Sequence, residues 1–169
     1  MVYMSALPFT PTHTTLYQTF HRADLHPLIA GGFQRTWSPL LMALVGHEDY
    51  ICSVAVSSDG TRIVSTSLDM TMRMWDSTTG AEVKKIPHAN PINSVAFSSD
   101  GCRIVSGSDG GNVQVWDATS GAELSLTRGH DGIVESVCFT PDGHHVVSGS
   151  GDKTIRVWNA TTGAEVLTI

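Results

Sequence analysis

Short runs of alternating hydrophobic and polar residues fill the chain from about residue 45 to its last residue. In one run, Met72 and Met74 alternate with Thr71 and Arg73. Alternation with a period of two is typical of a β-strand that buries one face. Asp-Gly, Thr-Gly and Ser-Gly pairs, which favour tight turns, separate the runs. The pattern predicts strands at 51–56, 62–67, 71–75 and 81–86, at 92–97, 102–106, 112–116 and 122–126, and at 134–139, 144–148, 154–158 and 164–169.

The group of four runs occurs three times, and a tryptophan ends the third run of each group. Trp75, Trp116 and Trp158 are 41 and 42 residues apart, and a histidine precedes each of them by 28 residues. An Asp-Gly pair follows each histidine by 12 residues. A period of about 40–45 residues, with Gly-His near its start and Trp-Asp near its end, marks a four-stranded propeller blade. Residues 39–169 therefore resemble the WD40 repeat family.

The resemblance implies an all-β fold, a partial WD40 β-propeller of three four-stranded antiparallel blades. We expect blades at about 45–86, 87–128 and 129–169, a leading outer strand at 39–44, and an N-terminal extension or linker at 1–38. Propellers have about four to eight blades, which bury their faces by stacking. Three blades leave two apolar faces open, so we expect a fragment of a longer propeller protein. The isolated chain is then expected to self-associate through its open blade ends.

The resemblance also implies a hydrogen-bonded chain in each blade, because a buried tryptophan must place its indole N–H on an acceptor. In the family, a turn aspartate accepts from the histidine, the histidine bonds a serine, and the serine accepts the tryptophan N–H. The second blade has Gly110 at the aspartate position, with Asp109 one residue earlier, so its network is in doubt. The matching residues are His47, Ser65, Asp69 and Trp75, then His88, Ser106 and Trp116, then His130, Ser148, Asp152 and Trp158.

These serine, histidine and aspartate sets are not interpreted as catalytic triads. A set that recurs once per blade indicates a structural role, and no nucleophile-elbow motif accompanies it. We therefore expect no enzyme activity and no cofactor. His13, His21 and His26 have no cysteine nearby and fit no standard metal-site spacing, so we expect no metal. The three cysteines Cys52, Cys102 and Cys138 lack CxxC spacing, which indicates reduced thiols in a cytoplasmic protein.

The charge distribution narrows the class of partner. The formal net charge is −6, and residues 1–38 contribute only two arginines and one aspartate, so the repeats carry the negative charge. An acidic array argues against nucleic acid as the main partner. No apolar run approaches the ~20 residues that span a membrane, and the N-terminus lacks signal-peptide features. The expected partner is therefore a protein or peptide, with neither nucleic acid nor membrane.

Recognition on a rigid scaffold is carried by its loops, and WD40 proteins commonly bind partners on their narrow top face. The resemblance assigns to this face the positions three and five residues after each histidine and the position before each turn aspartate. Tyr50 is the expected anchor, because tyrosine is enriched among residues that dominate binding energy. The top-face residues are Tyr50, Cys52 and Leu68, then Pro91, Asn93 and Asp109, then Ile133, Glu135 and Gly151.

The sequence thus predicts a non-enzymatic protein–protein interaction scaffold with a role in signalling. The alternative is the ligand-sensing C-terminal part of a NACHT-type signalling ATPase. Segments 5–9 and 37–41 resemble the junction before the WD40 array in that fungal group, and the near-identical Thr-Gly-Ala-Glu turns resemble its arrays. The chain contains no GxxxxGKS/T phosphate-binding motif, so such an ATPase would lie outside it.

Overall fold

The computed structural model describes residues 42–169, and all regular structure in this range is β-strand. Residues 44–169 form one compact unit. Nowhere in the described range is there a helix of the length and apolarity that a membrane crossing requires. The strands are β1 (Ile51–Val56), β2 (Arg62–Ser67), β3 (Thr71–Asp76), β4 (Glu82–Pro87), β5 (Ile92–Phe97), β6 (Arg103–Ser108), β7 (Asn112–Asp117), β8 (Glu123–Arg128), β9 (Val134–Phe139), β10 (His145–Ser150), β11 (Ile155–Asn159) and β12 (Glu165–Thr168).

Each group of four consecutive strands forms one antiparallel sheet, and chain neighbours are always sheet neighbours. We call the sheets blades 1, 2 and 3. Gly60, Gly101 and Gly143 turn the chain between the first two strands of each blade, with φ of 71°, 70° and 68°. Only glycine adopts this left-handed backbone without a steric cost, which explains the Asp-Gly pairs of the sequence.

The alternation of side chains gives each blade two faces, and the blades stack through them. We call the face that carries the tryptophan the leading face and the opposite face the trailing face. On the trailing face of blade 1, Val64, Met72 and Met74 are buried against Ile92, Val95 and Ile104 on the leading face of blade 2. The same positions form the core between blades 2 and 3, namely Val105, Val113 and Val115 against Val134, Val137 and Val146.

Polar contacts also cross the two junctions, and the contacts of the serines repeat in the same register. The Val95 N–H donates to Ser53 Oγ at 3.3 Å, and one repeat later the Val137 N–H donates to Ser94 Oγ at 3.1 Å. Arginines at matching positions also reach across: Arg62 donates to the Ala118 carbonyl at 2.6 Å, and Arg103 donates to the Gly143 carbonyl at 2.7 Å. Stacking is thus specified by hydrogen bonds as well as by apolar packing.

The fold predicted from the repeat, three four-stranded antiparallel blades, is confirmed. The predicted strand ends were less accurate. β6 and β10 run two residues further than predicted, because the small residues that end the hydrophobic pattern still pair with the inner strand, as Ser108 does with Ile92. The outer strand β4 begins at Glu82, one residue later than predicted. Ala81 belongs to the preceding turn, where its carbonyl accepts the Asp76 N–H.

Two boundary predictions involve residues outside the described range. The predicted division between an extension and the repeats, at residue 38, lies outside it. So do residues 39–41 of the predicted leading strand, while residues 42–44 are described and are not part of a strand.

Candidate functional site

Blades 1 and 3 contain complete hydrogen-bonded chains from turn to tryptophan. His47 Nδ1 lies 2.8 Å from Asp69 Oδ2, His47 Nε2 lies 2.8 Å from Ser65 Oγ, and Trp75 Nε1 donates to Ser65 Oγ at 2.8 Å. The carboxylate can only accept, so His47 carries its proton on Nδ1 and Ser65 donates to Nε2. The equivalent distances in blade 3, from His130 to Asp152, from His130 to Ser148 and from Trp158 to Ser148, are 2.8, 2.7 and 2.8 Å.

The aspartate of this chain connects two loops. Asp69 also accepts from the Glu48 N–H at 3.0 Å and from the Thr71 hydroxyl at 2.6 Å. Burial by itself would raise the pKa of Asp69, but the hydrogen bonds from Thr71, Glu48 and His47 outweigh it, so the pKa is well below its usual value. The ionised carboxylate therefore fastens the loop before β1 to the turn between β2 and β3.

The geometry gives these sets no access to a substrate. Ser65 is buried, and its oxygen is occupied by both Trp75 and His47. A nucleophile needs a hydroxyl exposed to the reacting atom, which neither Ser65 nor Ser148 has. The arrangement is suited to holding loops in place.

Blade 2 departs from this arrangement. Trp116 Nε1 donates to Ser106 Oγ at 2.9 Å, but neither ring nitrogen of His88 has a hydrogen-bond partner among residues 42–169. Burial lowers the pKa of His88. A side chain at Gly110 would meet the Asn90 amide at 2.6 Å, so Asn90 takes up the space of the missing aspartate. Asp109 is exposed, and its Oδ1 accepts from Asn93 Nδ2 at 2.7 Å.

The residues assigned to the top face come together in each blade through one recurring backbone hydrogen bond. The donor is the N–H of the residue just before the turn aspartate, or before Gly110 in blade 2. The acceptor is the carbonyl of the residue that follows the blade's histidine by three positions. The pairs are Leu68 to Tyr50 at 3.0 Å, Asp109 to Pro91 at 3.0 Å, and Gly151 to Ile133 at 2.8 Å. The third member of each set, Cys52, Asn93 or Glu135, lies two residues further, on the inner strand that follows.

The side chains at these positions and in the adjoining loops include exposed apolar groups and exposed carboxylates. Tyr50 is 80% exposed, and Leu68 and Ile133 are exposed as well. Burial raises the pKa of the Cys52 thiol, and the carboxylates of Asp109 and Asp49 raise it further, so the thiol stays protonated. The exposed carboxylates of the same loops and of β9 are those of Glu48, Asp49, Asp109, Asp131 and Glu135.

Sequence reasoning missed Met70 in this region and three pairs at the opposite end of the third strands. Met70 lies on the same turn as Leu68, and its side chain is exposed. Its backbone is left-handed, with φ of 59°. The glutamates of the Gly-Ala-Glu turns also have partners: Glu82 binds Arg73 at 2.6 Å, Glu123 accepts from Gln114 at 2.6 Å, and Glu165 binds Arg156 at 2.8 Å. The exact repetition of Gly-Ala-Glu was the signal that could have identified these pairs.

The described residues contain no group of three or more His, Cys, Asp or Glu side chains arranged to hold a metal ion. His13, His21 and His26 lie outside the described range. All three cysteines are free thiols and exposed.

Comparison with known proteins agrees with the repeat and its geometry. The family model described as "WD domain, G-beta repeat" matches residues 38–76, 80–117 and 121–159. Among solved structures, the crystal structure of the RRP9 WD40 repeats has a TM-score of 0.72 and 29% identity, covering 75% of this chain and 40% of that one. The structure of U3-55K has the same TM-score and 28% identity, covering 75% of this chain and 41% of the other.

Two curated fungal relatives share part of the array. The chain is 38% identical over 79 residues to the vegetative incompatibility protein HET-E-1 of Podospora anserina, covering 46% of this chain and 6% of that protein. It is 43% identical over 42 residues to the cross-pathway control WD-repeat protein 2 of Flammulina velutipes, covering 25% of this chain and 13% of that protein. The chain thus matches only a small fraction of the length of either relative.

Proposed function

The chain belongs to the WD40 repeat family, and we propose that it is a non-enzymatic interaction scaffold whose top face binds a protein or peptide. WD40 propellers generally bind proteins or peptides and are generally non-enzymatic. The observation that carries the proposal is the recurring backbone hydrogen bond that holds the top-face residues together in every blade. Rigid support lowers the entropic cost of binding, because fewer side chains and loops are ordered when the partner arrives.

Blade 1 supplies the anchor of the proposed site. Tyr50, Leu68 and Met70 are exposed on two loops that Asp69 and His47 fasten to each other. A tyrosine ring brings a large contact area and a hydroxyl while fixing only two side-chain torsions. Exposed apolar groups on a rigid support fit an apolar or aromatic residue of the partner.

The charge of the face specifies the partner further. The carboxylates around the anchors favour a partner with lysine or arginine next to its apolar residue, and they disfavour the phosphates of nucleic acid. Exposed free cysteines favour a reducing compartment, so we place this function in the cytoplasm, with a role in signalling. Self-association through the open blade faces is part of the same proposal.

The experiment is a screen of a peptide library on the 169-residue chain, followed by titration of the selected peptides. We expect selected peptides to combine a basic and an apolar residue. Tyr50→Ala should weaken binding by about 1 kcal/mol or more, with thermal unfolding unchanged. Thr168→Ala, on the outer strand β12, should leave the affinity unchanged. Equal losses in both variants, or a greater loss in Thr168→Ala, would place the partner on the blade sides and overturn the proposal.

A second candidate is that the array is the ligand-sensing part of a longer NACHT-type signalling ATPase. The observation that favours it is the 38% identity to a fungal vegetative incompatibility protein, of which the chain covers 6%. Sequencing the full transcript tests this candidate. A GxxxxGKS/T motif between a strand and a helix, in frame before Met1, would support it. An uninterrupted transcript without such a motif would refute it.

A further inference from the structure

Among residues 42–169, no blade covers the two end faces of the stack, whereas the equivalent faces between blades are buried. On the leading face of blade 1, Ile51 and Val54 are 52% and 57% exposed, whereas the equivalent Ile92 and Val95 of blade 2 are 0% and 6% exposed. We call Ile51, Val54 and Val56 the open leading face. The open trailing face belongs to blade 3 and consists of Cys138, Val147, Gly149, Ile155 and Val157. Ile155 on this face is exposed, although the equivalent Met72 and Val113 are buried.

The glycines of the middle strands show the same difference at atomic detail. A Cβ at Gly107, on the trailing face of blade 2, would meet Val134 Cγ1 at 2.5 Å and Val137 Cγ1 at 2.9 Å. Gly149 is the equivalent residue of blade 3, and a Cβ there would meet nothing within 4 Å among the described residues. Blade 1 has Thr66 at this position, and its side chain is buried. The surface around Gly149 is therefore a vacant half of a blade junction.

The two open faces carry residues equivalent to those that pack and hydrogen-bond at the junctions between blades. Ile51 and Val54 repeat the Ile92 and Val95 of blade 2, which pack on blade 1. Ser136 repeats Ser53 and Ser94, whose hydroxyl oxygens each accept a backbone N–H from the next blade. By the same register, Ser136 would accept from the Val54 N–H of a following blade 1. None of the residues that define the two open faces is a lysine, arginine, aspartate or glutamate.

We propose that a second copy of this chain docks head to tail, with its open leading face on the open trailing face of the first. The same contact, made twice, closes two copies into one six-bladed ring. The inference rests on the proposed self-association and specifies its geometry. A head-to-tail contact closes into a ring when its rotation allows, and six blades lie within the range of about four to eight that propellers use. β12 already fills the outer position of blade 3, so closure needs no strand from residues 42–44.

One residue makes this junction weaker than the internal ones. Arg62 and Arg103 each reach a carbonyl of the following blade, but the equivalent residue of blade 3 is His145. The contact between copies lacks this arginine bridge. We therefore expect a reversible, concentration-dependent association.

The ring would also complete the proposed binding face. Inner strands of successive blades lie side by side, so β1 of the second copy would lie beside β9 of the first. The loop that carries Tyr50 in the second copy would then lie beside the inner strand that follows Ile133 and carries Glu135 in the first. A partner larger than one blade would contact both copies.

The first test uses Gly149, where a side chain has room in the single chain and none in the ring. Gly149→Trp should keep the thermal unfolding of the single chain and lower the association constant at least about a hundredfold, because overpacking a junction costs several kcal/mol. Gly149→Thr is the matched control, since blade 1 carries a threonine, Thr66, at the equivalent position and buries it. Mass would be measured by light scattering at increasing concentration, with the wild type approaching twice its 18.1 kDa.

The second test separates head-to-tail docking from general stickiness. Val54→Asp and Ile155→Asp should each be monomeric, because every junction of either homodimer would bury an unpaired carboxylate. Mixing the two variants should restore a two-chain species, because one junction of the mixed pair has two native faces. Val83→Asp is the control: Val83 is 55% exposed, and the equivalent Leu124 stays 51% exposed in blade 2 between its neighbours.

Thiol protection supplies a readout that is independent of mass. Cys138 lies on the open trailing face, so its alkylation should slow at least about tenfold at saturating concentration while that of Cys102, in a turn, does not change. A wild-type chain that stays monomeric, filaments in place of dimers, or no recovery on mixing would overturn the inference. Peptide binding is measured on the same samples: Tyr50-dependent binding by the monomer would keep the scaffold proposal while the ring is refuted.

Discussion

At the residue scale, one serine oxygen in each blade with a complete hydrogen-bonded chain makes two hydrogen bonds. Ser65 Oγ accepts from Trp75 and donates to His47, which in turn holds Asp69. A buried polar group without a partner costs about 1–3 kcal/mol, so each member depends on the others. His88 shows the alternative, a histidine whose ring nitrogens lack partners among the described residues because Gly110 replaces the aspartate.

The tryptophan series tests this dependence. Trp75→Phe and Trp158→Phe should each lower the free energy of unfolding by ~1–3 kcal/mol, because they leave a serine of a complete chain without its donor. Trp116→Phe should cost less, because it breaks a network that already lacks its turn aspartate. Chemical denaturation of the three variants would measure the differences. Equal losses would show that Gly110 does not weaken its blade.

Acid should destabilise the array through the turn aspartates. The pKa of Asp69 is lower in the folded chain than in the unfolded chain, where it is about 3.9. The ionised carboxylate therefore stabilises the fold at any pH above about 3.9, and this stabilisation is lost as the pH falls through the folded pKa. Asp69→Asn should therefore be less stable than the wild type at pH 7, with a smaller further loss on acidification. Denaturation at neutral and at acid pH would test this; an unchanged acid loss in Asp69→Asn would contradict it.

At the element scale, the turn between the second and third strand shows how one repeat position tolerates different residues. Met70, Gly111 and Lys153 are equivalent, and all three have left-handed backbones with φ of 59°, 72° and 72°. Only the glycine of blade 2 adopts this conformation without a steric cost. Blades 1 and 3 therefore carry strain in the turn that supports the top face.

Replacing the strained residue should stabilise blade 1. Met70→Gly should raise the free energy of unfolding by about 0.5–1 kcal/mol, since relief of the left-handed strain exceeds the entropic cost of glycine. Leu68→Gly, two residues earlier on the same turn and without a positive φ, should lower stability instead. Thermal unfolding of both variants decides the matter. Destabilisation by Met70→Gly would mean that the side chain contributes more than the backbone strain costs.

At the scale of the whole molecule, stability comes from junctions between blades. In a stacked array each repeat contacts only its neighbours, so a residue's contribution depends on whether its face is covered. Val105 is buried between blades 2 and 3, whereas the equivalent Val147 of blade 3 is only partly buried on the open trailing face.

The same substitution at these two positions should therefore have different effects. Val105→Ala should cost about 2 kcal/mol, from lost burial and the cavity left behind. Val147→Ala should cost clearly less at low protein concentration, where the chain is single. Denaturant titration in dilute solution provides the comparison. Matching losses would mean that the trailing face of blade 3 is covered within the single chain.

The sequence by itself determined the elements and much of the candidate site. Hydrophobic alternation, Asp-Gly turns and the tryptophan period are local or periodic properties, and they predicted every one of the twelve described strands and their grouping. The resemblance that the period carries assigned Tyr50 and Leu68 to one face, and in the structure a backbone hydrogen bond joins these two residues. Repetition is informative because three copies of one solution must satisfy the same packing.

Tertiary structure decided what depends on neighbours in space. The sequence could not show that Asn90 occupies the space beside Gly110, nor that Glu82 binds Arg73, because those contacts depend on how loops and strand ends pack. It also could not distinguish Val54 from Val95, which look alike in the pattern. One is exposed and the other buried because burial is a property of the stack, set by whether another blade covers the face.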